Sequence, residues 1–151
     1  MTTTRGLPYQ PIEEVKLTEA LDLAKFFYGI LADFPEDEKW NSVIKIRNSA
    51  TDLLYYIAQA VGNGSPTTHE YDWGNVRKHA LSLKTLYRFA HKQDFVTVDP
   101  DIMVRIDKLL KDIDKSRQQA YQQTKNYNER EDKRWRDRYE TWKKTEEGYS
   151  R

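Results

Sequence analysis

Residues 43–66 read VIKIRNSATDLLYYIAQAVGNGSP. Val43, Arg47, Ala50, Leu54, Ile57 and Val61 recur at the three- and four-residue steps of one helical face, with Ile46 and Leu53 alongside. No alternation of period two runs through the stretch. It predicts an amphipathic helix to about residue 61, stopped by Gly62-Asn63-Gly64-Ser65-Pro66, the strongest breaker cluster in the chain.

The same period extends in both directions. Upstream, residues 1–11 carry Pro8 and Pro11 and read as an extended lead-in. Leu17, Ala20, Leu21, Ala24, Phe27, Tyr28 and Leu31 predict a first helix over about 12–33, ended by Phe34-Pro35, because proline disfavours the helical region for its predecessor. Pro35-Glu36-Asp37-Glu38 reads as the acidic first turn of the second helix, where carboxylates complement the dipole. Downstream, Trp73, Val76, Ala80, Leu83, Tyr87 and Ala90 predict a third helix over about 71–93. Asp99 is an N-cap candidate, with Pro100 at the first position of a fourth helix carrying Ile102, Met103, Ile106, Leu109, Leu110, Ile113 and Ala120. Four amphipathic helices on short connections predict an all-α fold, an antiparallel up-down four-helix bundle over residues 12–120.

Residues 121–151 differ in kind. After Ala120 the aliphatic residues stop, and nine Lys and Arg stand against seven Asp and Glu. No Pro or Gly lies between Pro100 and Gly148, so the fourth helix is free to continue. Tyr121, Asn128, Trp135, Trp142 and Tyr149 are spaced by seven, while the companion positions Thr124, Glu131, Arg138 and Thr145 do not support a coiled-coil seam. The segment is expected to be an extended helical tail, either solvated and partly frayed or serving as an aromatic–basic strip that docks on a partner or on single-stranded nucleic acid. Trp135, Arg138, Tyr139 and Trp142 would form the centre of that strip, with Arg134, Arg136, Lys143 and Lys144 around it.

The whole-chain numbers narrow the function. A chain of 151 residues is one domain's worth; 38% hydrophobic against 32% charged implies narrow apolar stripes. The absence of Cys excludes disulfides, thiolate catalysis and thiolate-bound zinc. With no apolar leader and no stretch approaching 18 apolar residues, a cytoplasmic protein is expected. Catalysis has no residues to stand on. The Glu-x-x-His pairs of di-iron bundles are missing, and His69, His79 and His91 read as surface or boundary residues. No phosphate-binding glycine loop or Ser–His–Asp grouping is present. No catalytic residue, metal or cofactor is expected.

Charge distribution says more than the net charge of +1. From Trp73 to Gln93 there is no Asp or Glu, yet the span holds Arg77, Lys78, Lys84, Arg88 and Lys92. A solvated helix face normally mixes both signs. Arg77, Lys84 and Arg88 share one face, suited to meeting phosphates unless acids from elsewhere neutralise it. Lys45 and Arg47 of the second helix join them as candidate nucleic-acid contacts. Arg47 falls on the apolar seam, which predicts an arginine paired inside the bundle or at a subunit interface.

Phe34-Pro35-x-x-Glu38-x-Trp40, followed by Ile46-Arg47-x-x-Ala50-x-x-Leu53-x-x-x-Ile57-Ala58-Gln59-Ala60, resembles the central motif of the four-helix-bundle family of ribosomal-RNA intervening-sequence proteins. Ala80-Leu81-Ser82-Leu83-x-x-Leu86-Tyr87-x-x-Ala90 is similar to that family's third helix, and Ile113-Asp114-Lys115 to its fourth. The superfamily includes the accessory variability determinants of diversity-generating retroelements, and Gln59-Ala60 with the basic Tyr87-Arg88-Phe89-Ala90 is similar to that branch. The resemblance covers about residues 17–118. It implies a non-enzymatic homo-oligomer, a pentamer by preference, that binds RNA or DNA and a reverse transcriptase. The other branch implies an interaction scaffold of the intervening-sequence type without nucleic-acid binding.

Overall fold

The computed structural model describes residues 11–62 and 66–149, with side chains from 17 to 62 and from 71 to 148. The chain is all-helical over that range. Helix α1 spans Pro11–Ile30, α2 Ser42–Gly62, α3 Pro66–Lys92 and α4 Pro100–Tyr149, with short 3₁₀ turns at Leu31–Asp33 and Glu36–Glu38. The N-terminal lead-in expected over residues 1–11 lies, but for Pro11, outside the described residues, as does His69's side chain.

Each helix end has a chemical cause. The fourth helix begins as its sequence suggests: the Asp101 N–H donates to Asp99 Oδ1 at 2.9 Å, and Pro100 fills the position whose missing N–H costs nothing. Pro66 plays the same part for α3, so the last residue of the breaker cluster opens the next helix, one turn earlier than expected. The second helix starts later than its acidic lead suggested. Glu36–Glu38 forms a separate turn, and the Glu38 carboxylate folds forward to accept hydrogen bonds from the Ser42 hydroxyl and from the Ser42 N–H at 3.2 Å. Those bonds, the hydroxyl's first, hold the Glu38 carboxyl below its usual pKa of 4.5, against a partial desolvation that works the other way. The charge therefore serves the helix dipole from outside the first turn.

The end of α3 is a Schellman motif. The Phe95 N–H reaches the Ala90 carbonyl at 2.9 Å and the Asp94 N–H reaches that of His91 at 3.0 Å. The Phe95 ring meets Phe89 edge-on at 6.4 Å, the apolar contact that usually accompanies this cap. Asp94 sits at φ 59°, in the left-handed region that costs any residue with a Cβ. Asp94→Gly should therefore stabilise the fold by about 0.5–1 kcal/mol and raise the melting temperature by about 1–4 °C, readable by thermal circular dichroism.

All four helices feed one hydrophobic core. Ala20, Leu23 and Phe27 of α1 meet Ile46, Leu53 and Ile57 of α2, Val76, Leu83 and Tyr87 of α3, and Ile106, Leu109 and Ile113 of α4. Alanines at 50, 60, 80, 90 and 120 are also buried and let the backbones approach closely. The buried row of α2 is 43, 46, 50, 53, 57, 60. This corrects the expected position of Arg47. One residue beyond Ile46 turns about 100° away from the core, so Arg47 is exposed and lies over the Tyr28 ring, 5.8 Å from its centroid. The same rotation leaves Leu21 and Tyr28 of α1 exposed and brings Leu23 inside.

Helix neighbours are fixed by contact and charge. The first helix packs on α2, α2 on α3, α3 on α4, and α4 returns to α1. Arg105 of α4 reaches Glu19 at 3.2 Å and Asp22 at 3.4 Å on α1. Arg77–Asp114 at 2.9 Å and Lys84–Asp107 at 2.6 Å tie α3 to α4. A step of seven up α3 matches a step of seven down α4, so these two helices run antiparallel in register.

The fourth helix does not stop at Ala120. It runs unbroken for 50 residues. Its buried residues end at Ala120, and only Thr124 and Glu131 beyond it are less than fully exposed. The distal part is far longer than the dozen or so residues an isolated helix needs. It carries local ties: Gln122 to Asn126 at 3.1 Å, Arg134 to Glu131 at 3.2 Å, and threonine hydroxyls 141 and 145 back-bonded to the carbonyls four residues earlier.

Candidate nucleic-acid interface

From Trp73 onward α3 carries no acid, and it presents its cations in two ways. Lys78, Arg88 and Lys92 are exposed, with no ion-pair partner among the described residues. Arg77 and Lys84 are half-buried at the α3–α4 seam and held by Asp114 and Asp107. The neutralising acids thus come from α4.

The fourth helix also adds cations that sequence reasoning missed. Lys108, Lys111 and Lys115 stand at i, i+3 and i+7, all exposed. Lys111 falls on the α3 side of α4, near the angle of Asp107 and Asp114 about the axis. Arg117 leans across α3: a Cβ built on Gly74 would lie 4.0 Å from its Nε. The signal was legible as a helical ladder of lysines, hidden because α4 as a whole mixes both signs. Around the seam, two aspartates face many more cations, and the paired Arg77 and Lys84 are positioned while the others are free to meet a ligand. Such a strip suits a phosphate backbone.

Lys45 and Arg47 are not brought onto this face. Arg47 sits where α2 meets α1, against Tyr28. Lys45 is exposed near the start of α2, where its charge adds a small lowering effect on Glu38. Of the seven candidate contacts, α3 gathers its five and α2 keeps two elsewhere.

The strip expected on the distal part of α4 forms one continuous face. Trp135, Tyr139 and Trp142 are 65%, 60% and 56% exposed. The Arg138 guanidinium lies 5.8 Å from the Trp135 ring centroid, and Tyr139 leans on Trp142 with centroids 6.0 Å apart.

Of the three histidines, His79 and His91 have described side chains, and the His91 Nδ1 lies 3.4 Å from the Val96 carbonyl oxygen. The His79 ring stacks on Tyr56 at 5.4 Å, and burial holds its pKa below the usual 6.5 against the pull of Asp52. Among the described residues no group of three or more His, Asp or Glu is placed to hold a metal ion, and no helix is long and apolar enough to cross a membrane.

No family model, curated protein or solved structure matches the chain. Its surfaces are therefore read from their own chemistry.

Proposed function

We propose that the chain is a non-enzymatic, cytoplasmic accessory protein that binds nucleic acid, RNA by preference, along its α3–α4 face. The architecture in this reading is an antiparallel up-down four-helix bundle with an extended C-terminal helical tail. The order of helix contacts and the antiparallel register of the α3–α4 ion pairs support it. The observation that carries the function is the excess of unpaired cations beside the α3–α4 seam, Lys78, Arg88, Lys92 and Lys111 foremost.

The proposed homo-oligomer has a surface to use. Leu21 and Tyr28 of α1, with Tyr55 and Val61 of α2, leave apolar area exposed on other parts of the helical core than the α3–α4 seam. A ring built through those residues would repeat the basic face around its rim and multiply its field. The likeness to retroelement accessory proteins adds the ring of five and a reverse transcriptase as protein partner.

One specific observation favours a second reading, a protein-interaction scaffold of the intervening-sequence type without nucleic-acid binding. It is the exposure of Trp135, Tyr139 and Trp142. Light scattering with and without a short RNA, at low and high salt, separates the two. The first reading expects a multimer that gains RNA mass at low salt and loses it at high salt. A particle whose mass ignores RNA at both salt levels would leave the scaffold.

A further inference from the structure

We infer that the distal part of α4 is a second, separate strip, one that binds single-stranded nucleic acid by stacking bases on Trp135, Tyr139 and Trp142. This goes beyond the α3–α4 reading, because it concerns different residues and an unpaired strand.

Chemistry selects the occupant. Between Ala120 and Tyr149 there is no Ala, Val, Leu, Ile or Met. Exposed Trp, Tyr and Arg anchor protein grooves as well, so the occupant is chosen by the cations that flank the rings; the acyl region of a lipid surface calls for aliphatic bulk that this helix lacks. A second copy packed along the strip would bury Glu131 and Arg138, which alternate with the rings at the seam positions. What the strip does offer is flat ring faces and guanidinium groups, the surfaces on which unpaired bases stack.

Charge points the same way. Lys133, Arg134, Arg136, Arg138, Lys143 and Lys144 fall within one stretch that contains only Asp137 and Glu140 as acids. The distal part of α4 is near neutral as a whole, so its positive charge is concentrated where the three exposed rings are. The rings are also ordered into two platforms. Arg138 covers Trp135, and Tyr139 leans on Trp142. Trp135 and Trp142 are separated by about 10 Å along the axis at 1.5 Å per residue. Bases in a duplex are already stacked on each other, which is why the strip selects unpaired ones.

The test uses the full chain, a labelled short oligouridylate and a labelled duplex, followed by fluorescence anisotropy. Trp135→Ala with Trp142→Ala should weaken oligouridylate binding by about a hundredfold, tenfold per lost stack, and leave duplex binding unchanged. Trp135→Phe with Trp142→Phe should keep most of the affinity, since a stacking face remains. Both rings are exposed, so circular dichroism should be unaltered. Wild-type oligouridylate affinity in the double alanine variant would overturn the inference. So would an equal loss on the duplex, or a variant that loses only its sedimentation with phosphatidylserine vesicles. A charge-removal variant of the α3–α4 face distinguishes the two readings. If it loses duplex binding while the tryptophan variant behaves as wild type, the strip fails and the α3–α4 interface stands.

Discussion

Replacing Lys78, Arg88, Lys92 and Lys111 together by glutamine should weaken RNA binding by about a thousandfold near 0.1 M salt and flatten its salt dependence. Each cation that displaces a counterion contributes about 0.9 to the slope of log affinity against log salt, so removing four should lower that slope by about 3–4. These four are chosen because they are exposed and form no ion pair among the described residues, so glutamine leaves no acid orphaned. Arg77 and Lys84 are poorer probes. Their loss would strand Asp114 and Asp107 and add uncompensated negative charge to the same face. Filter binding across a salt series measures both quantities. A variant with wild-type affinity and slope would remove the α3–α4 face as the interface.

Tyr87→Ala is the second large effect, this time on stability. The ring is fully buried and meets Phe26 and Phe27 edge-on at 5.7 and 5.4 Å. Its hydroxyl accepts a 2.8 Å hydrogen bond from the Asp99 N–H, just ahead of α4. Removing an aromatic side chain of this kind costs about 3–5 kcal/mol, a large share of a typical domain's stability. Tyr87→Phe isolates the hydroxyl and should cost about 1–3 kcal/mol by leaving that N–H without its partner. Urea denaturation of the two variants separates packing from hydrogen bonding. Burial, the larger influence, raises the hydroxyl's pKa above 10.0. The neutral form is thus the one the fold prefers. Its contribution is complete below the unfolded value of 10.0 and fades as pH rises through the higher folded value. The phenylalanine variant should lack that alkaline loss.

The helices were legible because their apolar periods are long and their breakers sharp. The Gly62–Pro66 cluster, the Phe34-Pro35 stop and the Asp99-Pro100 start all act through local backbone chemistry that a sequence displays directly. Finer rotation was not legible. An apolar stripe is about 100° wide, so the period tolerates a rotation of some tens of degrees that decides between Arg47 and Ile46, or between Leu21 and Leu23 at opposite edges of the stripe, and only packing against the neighbouring helices chooses. The acid-free span of α3 from Trp73 was visible at once, but its neutralising partners were not. Asp107 and Asp114 reach Lys84 and Arg77 because of the antiparallel register, a relation between distant segments. The start of α2 was misplaced for a related reason. Pro35–Glu38 has the composition of a first helical turn, but Glu38 makes its bonds to Ser42, across a turn that composition alone does not reveal.

The unbroken α4 ties the rotational phase of its far end to its near end. Ile102 and Ala120 are buried against the core, and Arg138 follows at the same interval of 18 residues. Eighteen residues are about five whole turns. Trp135 and Trp142 lie three residues before and four after Arg138, within about 60° of it around the axis, so the phase of the core-facing row sets the heading of the aromatic strip. The helix acts as a clock hand as well as a spacer. Deleting two residues between Ala120 and Arg130 would swing the strip by about 200° while shortening its reach by only about 3 Å, whereas deleting seven would shorten it by about 10 Å and nearly restore its heading. Composition would be almost unchanged in both, and aim alone would differ.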